Sequence, residues 1–218
     1  TNFNHLLQTS SSKAIHIVQG LRGNEYITDV MQSFKTHNLK FWVIMETVNN
    51  DGLKGKIKNH LYKSIYKKYK NNISGFLSIG YKSPKWLENI GVPNEIIFPF
   101  TYFLQPSTTE ALTASSSNFI FMFAGSFTQR KQPKLILESL MKLNINKNND
   151  IELWMVGGGE QEEELKEFSK SCSFNIQWLG YQDIKVVRTF MAKVDCLLLP
   201  SKYDGWGAVV SEAMIEGT

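Results

Sequence analysis

Short apolar runs alternate with segments of helical spacing along the whole chain. Residues 14–18 and 39–45 read as strands, and between them Ile27, Val30, Met31 and Phe34 mark one face of a helix opening at Asn24. A third run, residues 73–79, leads to a short helix with Ser83 as N-cap, Pro84 at the first position and Gly91 as the stop. Residues 95–103 return as an extended aromatic segment interrupted by Pro99. Beyond a polar stretch the alternation resumes, with strands at 119–124, 151–156, 175–178 and 195–199. Helices are expected from about Pro133 to Leu143, from about Glu160, and after an Asp183 cap. Repeated strand–helix units predict an α/β fold with parallel, doubly wound sheets. The Ser- and Thr-rich residues 105–117 have linker composition, which divides the chain into domains at 1–104 and 118–218.

Chemistry concentrates at the strand ends of the second domain. Gly125, Gly157 and Gly180-Tyr181 follow three strands, and ligands in such sheets bind beyond the carboxyl ends of strands. A fourth run passes through Pro200 and Ser201 into Tyr203-Asp204-Gly205-Trp206-Gly207 and then a helix carrying Glu212. A glycine loop feeding a helix presents unpaired N–H groups and the positive end of the dipole, a setting for phosphate. With the helix beginning near Gly207, Glu212 lies about 7.5 Å along its axis, so the two acids flank the anion site without pairing. A diphosphate with hydroxyls on both sides fits, and a nucleotide sugar is one. Retaining glycosidases hold their acids about 5 to 5.5 Å apart, so a hydrolase is disfavoured. The acids after Gly159 need no such role, since acids at a helix N-terminus complement its dipole.

Residues 53–70 change the picture of the first domain. Leu53, Ile57, Leu61, Ile65 and Tyr69 recur every four residues, with Tyr62 and Tyr66 widening the stripe. Seven lysines from Lys54 to Lys70 cover the rest, and no acid occurs between Gly52 and Leu87. Such a helix either lies on an anionic membrane surface with its tyrosines at the interface, or packs on the sheet with a solvated lysine face. Nucleic acid is disfavoured because the charge is local and no stacking motif accompanies it. Glu46, just past the 39–45 strand, is either an acceptor contact or a solvated loop acid.

Composition adds limits. The 218 residues suffice for two cores, and the net charge of +4 selects no partner. Cys172 and Cys196 make no disulfide framework, which favours a reducing compartment. The apolar runs are too short to span a bilayer. No leader is visible, although residue 1 is Thr, which leaves room for a removed one.

The second domain strings together Phe123-Ala124-Gly125 through Arg130-Lys131, Val156-Gly157-Gly158-Gly159, and Trp178-Leu179-Gly180-Tyr181. Leu199-Pro200-Ser201, Asp204-Gly205-Trp206-Gly207 and Glu212-Ala213-Met214 follow. In these motifs and their order the chain resembles the group 1, family 4 glycosyltransferases of GT-B architecture. The first domain is similar more loosely, through the basic helix, Ile79-Gly80, Gly91-Val92-Pro93 and Phe98-Pro99-Phe100. The resemblance implies two Rossmann-like domains, both incomplete, and a chain shortened at both ends. It further implies metal-independent, retaining transfer of a sugar from a nucleotide-sugar donor, with no cofactor. Asp204 and Lys131 would be the catalytic pair, Asp204 near the donor sugar and Lys131 on the phosphates. Arg130, Gly125, Ser126, Gly205, Trp206 and Gly207 would line the sugar and diphosphate, Glu212 the ribose, and Gly157 and Tyr181 the nucleobase. Asp204 stands where the family usually has Glu, Ser126 where it often has Arg, and Gln132 where it has glycine.

The resulting expectation is a hexosyltransferase acting at the cytoplasmic membrane face on a polysaccharide or glycolipid precursor. The alternatives are a nucleotide-sugar epimerase and an inactive nucleotide-sugar-binding fragment or partner subunit.

Overall fold

The computed structural model describes residues 5, 7, 9–10, 13–23, 25–50, 52–107, 118–143 and 151–218. The chain divides into two compact units, Thr1–Tyr102 and Phe103–Thr218. Most of the expected linker, residues 108–117, lies outside the described residues, as does Asn24.

The first unit carries a parallel sheet of order β1-β2-β3-β4: β1 (Ile17–Gln19), β2 (Phe41–Glu46), β3 (Ile73–Ile79) and β4 (Ile97–Phe100). Helices α1 (Glu25–Thr36), α2 (Gly52–Tyr69) and α3 (Ser83–Asn89) connect the strands. Phe41, Val43 and Met45 alternate into the core, as the two-residue strand period requires, and meet Met31 and Phe34 of α1. Three sequence expectations shift here. Glu46 is the last residue of β2 and pairs with Ile79. Ser83 lies inside α3, with Lys82 at the N-cap and no side-chain cap; its Oγ is buried without a partner among the described residues. A single 3₁₀ turn, Asn94–Ile96, precedes β4.

Of the two readings of residues 53–70, packing on the sheet holds for the tyrosines of α2, whereas the expected apolar stripe is corrected. These tyrosines are core residues: Tyr62, Tyr66 and Tyr69 are buried, whereas Leu53 is 79% and Ile57 69% exposed. A strict spacing of four rotates by about 40° per step on a helix of 3.6 residues per turn, so Leu53 and Tyr69 end on nearly opposite sides. Two of the tyrosines find aromatic partners in the core, and the Tyr69 ring lies under Lys35 and Lys68. Tyr62 stands edge-on to Trp86 at 5.1 Å between centroids, and Tyr66 lies 6.1 Å from Phe76. Trp86 Nε1 in turn donates to Asn59 Oδ1 (2.9 Å), tying α3 to α2.

The second unit holds a parallel sheet of order β7-β6-β5-β8: β5 (Phe119–Ala124), β6 (Ile151–Val156), β7 (Asn175–Gly180) and β8 (Cys196–Leu197). Helices α4 (Pro133–Lys142), α5 (Glu162–Ser169), α6 (Ile184–Met191) and α7 (Ala208–Glu216) cover both faces. Strand alternation sorts them. Phe123, Leu153 and Met155 join Ile136, Leu137, Leu140 and Leu165 from α4 and α5. Ile120, Met122 and Val156 join Val187, Met191 and Ala213 from α6 and α7. Asp183 caps α6, accepting from Lys185 N–H at 2.9 Å, as its position predicts. The strand expected over 195–199 shortens to two residues, and Asp195 instead accepts from Ile120 N–H at 2.7 Å.

Truncating Tyr66 to Ala should cost about 3 kcal/mol by emptying a buried aromatic site, whereas Ile57→Ser should stay within about 0.5 kcal/mol. Urea unfolding of the two variants checks both.

Candidate active site

Because the second sheet is wholly parallel, the turns after its strands leave from one edge, and backbone hydrogen bonds stitch three of them together. Gly125 N–H donates to Val156 O (3.0 Å), Phe127 N–H to Gly158 O (2.8 Å), and Gly157 N–H to Gly180 O (2.7 Å). A side chain at position 157 would put its Cβ 2.0 Å from Gly125 O, at a φ of +123°, so only glycine lets these loops meet. The exposed Tyr181 ring lies against Gly158, where an added Cβ would be 2.7 Å from it.

The loop after β5 reaches the loop after β8 through charge. Lys131 Nζ contacts Asp204 Oδ2 at 2.5 Å, and Arg130 Nη1 reaches Tyr203 O (2.8 Å) and Asp204 Oδ1 (3.4 Å). The backbone repeats the link, with Lys202 N–H donating to Arg130 O at 2.9 Å. Burial alone would raise the Asp204 pKa. The Lys131 hydrogen bond and charge, helped by Ser201 and Arg130, outweigh it and hold the carboxyl below the usual carboxylate range. Asp204 is thus an ionised hydrogen-bond acceptor and a poor proton donor. Gln132, in the family's glycine place, has φ +52°, the left-handed region glycine enters without strain.

Beyond Gly205 and Trp206 the chain enters α7, with Gly207 at the N-cap (φ +73°), matching the predicted helix start. The first N–H groups of a helix lack acceptors within its regular i→i−4 ladder, a setting in which an anion can bind. Glu212 is half-buried on α7. Burial raises its pKa, while the Arg188 charge pulls it back. Ser126 is half-buried in the loop after β5.

In the first unit, the edge beyond β1 and β2 opens into a cavity of about 640 Å³ lined by Gln19, Gly20, Arg22, Glu46, Tyr62 and Tyr102 among others. Glu46 is engaged here, accepting from the Tyr102 hydroxyl at 2.6 Å. That hydrogen bond, then burial and the Glu46 charge, push the Tyr102 phenol up to about 12. Sequence reasoning missed Tyr102 and Arg22, and it missed Arg188 with its partner Glu216. These are contacts between residues far apart in the chain, and no local pattern announces them. Among the described residues no cluster of three or more His, Cys, Asp or Glu is placed to hold a metal ion.

The Asp204 pair has a testable acid limit. Since the folded carboxyl titrates below its unfolded value, its contribution is complete above the unfolded pKa and is lost as pH falls through the folded one. Asp204→Asn should therefore lower stability at neutral pH by about 1 to 2 kcal/mol, the pair being partly buried. Urea titrations at descending pH should show the gap from wild type closing in acid.

Known proteins share this architecture. Over 99% of its length the chain superposes on the lipopolysaccharide outer core galactosyltransferase WaaB, with TM-score 0.68 and 19% identity, spanning 57% of that protein. It matches TarM with TM-score 0.70 and 17% identity, over 93% of this chain and 39% of that one. Anabaena HepE, solved with UDP and glucose, gives TM-score 0.65 and 12% identity, over 93% and 57%. The fold is that of the GT-B glycosyltransferases, of whose chains it spans only a part. No curated protein sequence matches the chain. The family description "Glycosyl transferases group 1" matches residues 105–218, just over half the chain and the whole of the loop cluster above. With motifs, fold and family profile converging on the same residues, the chain belongs to the group 1 glycosyl transferases.

Proposed function

We propose that the chain is a retaining hexosyltransferase that takes a sugar from a nucleotide-sugar donor and passes it to a polysaccharide or glycolipid precursor. The observation that carries this reading is the Lys131–Asp204 pair beside the N-terminus of α7. The leaving nucleoside diphosphate gains negative charge as the glycosidic bond breaks. A preorganised cation and aimed N–H groups stabilise that charge more in the transition state than in the ground state. Lys131, with Arg130 beside it, supplies the cation, and Gly205, Trp206 and Gly207 bring backbone to the sugar and diphosphate. Asp204, kept ionised, accepts from donor sugar hydroxyls. Glu212 receives the ribose hydroxyls, and the loops at Gly125, Ser126, Gly157 and Tyr181 border the nucleotide. The cavity around Glu46, with its tyrosine hydroxyls and Arg22, suits a hydroxyl-rich acceptor. No resident cofactor and no metal enters this scheme.

The acceptor's setting follows from α2. Opposite its tyrosine core, Leu53 and Ile57 project outward with lysines on both flanks. An apolar ridge between cations is the chemistry of an anionic bilayer surface, where each lysine contributes about 1 kcal/mol. We assign this ridge to the cytoplasmic face of the membrane. Among the described residues no helix is long and apolar enough to cross one.

Two experiments check these assignments. Incubation with UDP-sugars and a lipid-linked or polysaccharide acceptor should release UDP only when the acceptor is present, with Lys131→Ala slower by about 10²-fold. Acceptor-independent conversion of the donor to its epimer would instead identify an epimerase, and binding without turnover a binding module. In co-sedimentation with phosphatidylglycerol vesicles, Leu53→Asp/Ile57→Asp should release the protein although every lysine remains. Unchanged binding of that variant would remove α2 from the membrane.

A further inference from the structure

We propose that the first-unit cavity is built for an acceptor that carries an anionic group: the Arg22 guanidinium takes the anion, and the Glu46 carboxylate, held in place by Tyr102, takes a hydroxyl. This rests on the reading of that cavity as the acceptor site, and adds the acceptor's charge to it. The two charged side chains meet there because the sheet is parallel. β1 and β2 are neighbours with Gln19 beside Ile44, so the loop after β1, which carries Arg22, and the end of β2, which carries Glu46, lie at one edge. Gly20 N–H, donating to Ile44 O at 2.8 Å, fastens the start of that loop to β2.

Arg22 and Glu46 are the charged residues of the cavity wall; apolar side chains, Gln19, glycines and tyrosines make up the rest. They do not neutralise each other, since no ion pair of the described residues includes either one. Glu46, half-buried, is served instead by a neutral donor. Tyr102, just past β4, reaches back over β3 and donates its hydroxyl to Glu46 Oε1 at 2.6 Å. Oε2 makes no hydrogen bond among the described residues and is left to accept from a ligand hydroxyl. Tyr102 is thus a positioning residue, acting on the ligand through Glu46. Arg22 is exposed at the wall with no carboxylate to fork onto. A guanidinium presents N–H donors in pairs that match the oxygens of a phosphate or a carboxylate, so an anion completes it. An apolar wall strengthens the contact, because it screens charge less than water does. Glu46 repels the same anion, which makes the orientation one-way: charge on Arg22, hydroxyl on Glu46.

The test titrates glucose, glucose 6-phosphate and glucuronate into the full chain and follows amide ¹H–¹⁵N shifts at Gly20 and Gly23, with Gly207 reporting on the donor loops. A charged sugar should move Gly20 and Gly23 with a Kd about tenfold below that of glucose, and the tighter of the two names the anion as phosphate or carboxylate. Arg22→Gln should abolish the preference while leaving the Kd for glucose within about twofold. Tyr102→Phe should raise the Kd for glucose about fivefold and add nothing in a Glu46→Ala background, a coupling that a merely structural tyrosine would not show. The wild-type comparison decides the matter even where a variant folds poorly. Equal Kd values for glucose and both charged sugars, or a preference that survives in Arg22→Gln, overturn this proposal and leave the acceptor cavity standing. Sugars that move Gly207 and leave Gly20 and Gly23 in place overturn the acceptor reading of the cavity together with it.

Discussion

The ion pair of Lys131 with Asp204, seconded by Arg130, joins the loop after β5 to the loop after β8, and the geometry of the loop cluster depends on it. Each partner would be costly alone, since both are partly withdrawn from water and removing one leaves the other's charge uncompensated. Together they fix where a cation stands beside the start of α7. On the proposed function, an arriving diphosphate would offer Lys131 a second anion and release Asp204 to the hydroxyls of the sugar.

That pair can form only because the backbone beneath it is tightly stitched. The contact of Gly157 with Gly125 O admits no side chain, so the loops after β5 and β6 close to van der Waals distance and the β5 turn is held up against β8. The double covering of the sheet by α4 and α5 on one face and α6 and α7 on the other then keeps this edge rigid. Rigid placement of charge before the reaction is what electrostatic catalysis requires.

Much of this was legible in the sequence, and the reasons differ by element. The strands of the second unit announce themselves because a parallel strand buried on both faces is an unbroken apolar run, as in 119–124 and 151–156. The glycine loops were legible because their backbone demands leave few residues able to serve, as the positive φ of Gly207 shows. The outward face of α2 was misread because a four-residue spacing looks like a stripe in print and is a spiral on a helix. Which side went inward was decided by Trp86 and Phe76, residues supplied by other elements. Ser83 was misplaced for a similar reason, local cap chemistry giving way to burial. Arg188 and Glu216, 28 residues apart, carry no local signal, and only the packing of α6 on α7 brings them together.

On the proposed function, this loop cluster is a diphosphate site built on Lys131 and the start of α7. A crystal structure of the chain with bound UDP tests it most directly. Phosphate oxygens should lie within hydrogen-bond distance of Lys131 Nζ and of the N–H groups following Gly207, with the ribose at Glu212. Phosphates bound elsewhere, with Lys131 still fully engaged by Asp204, would contradict it.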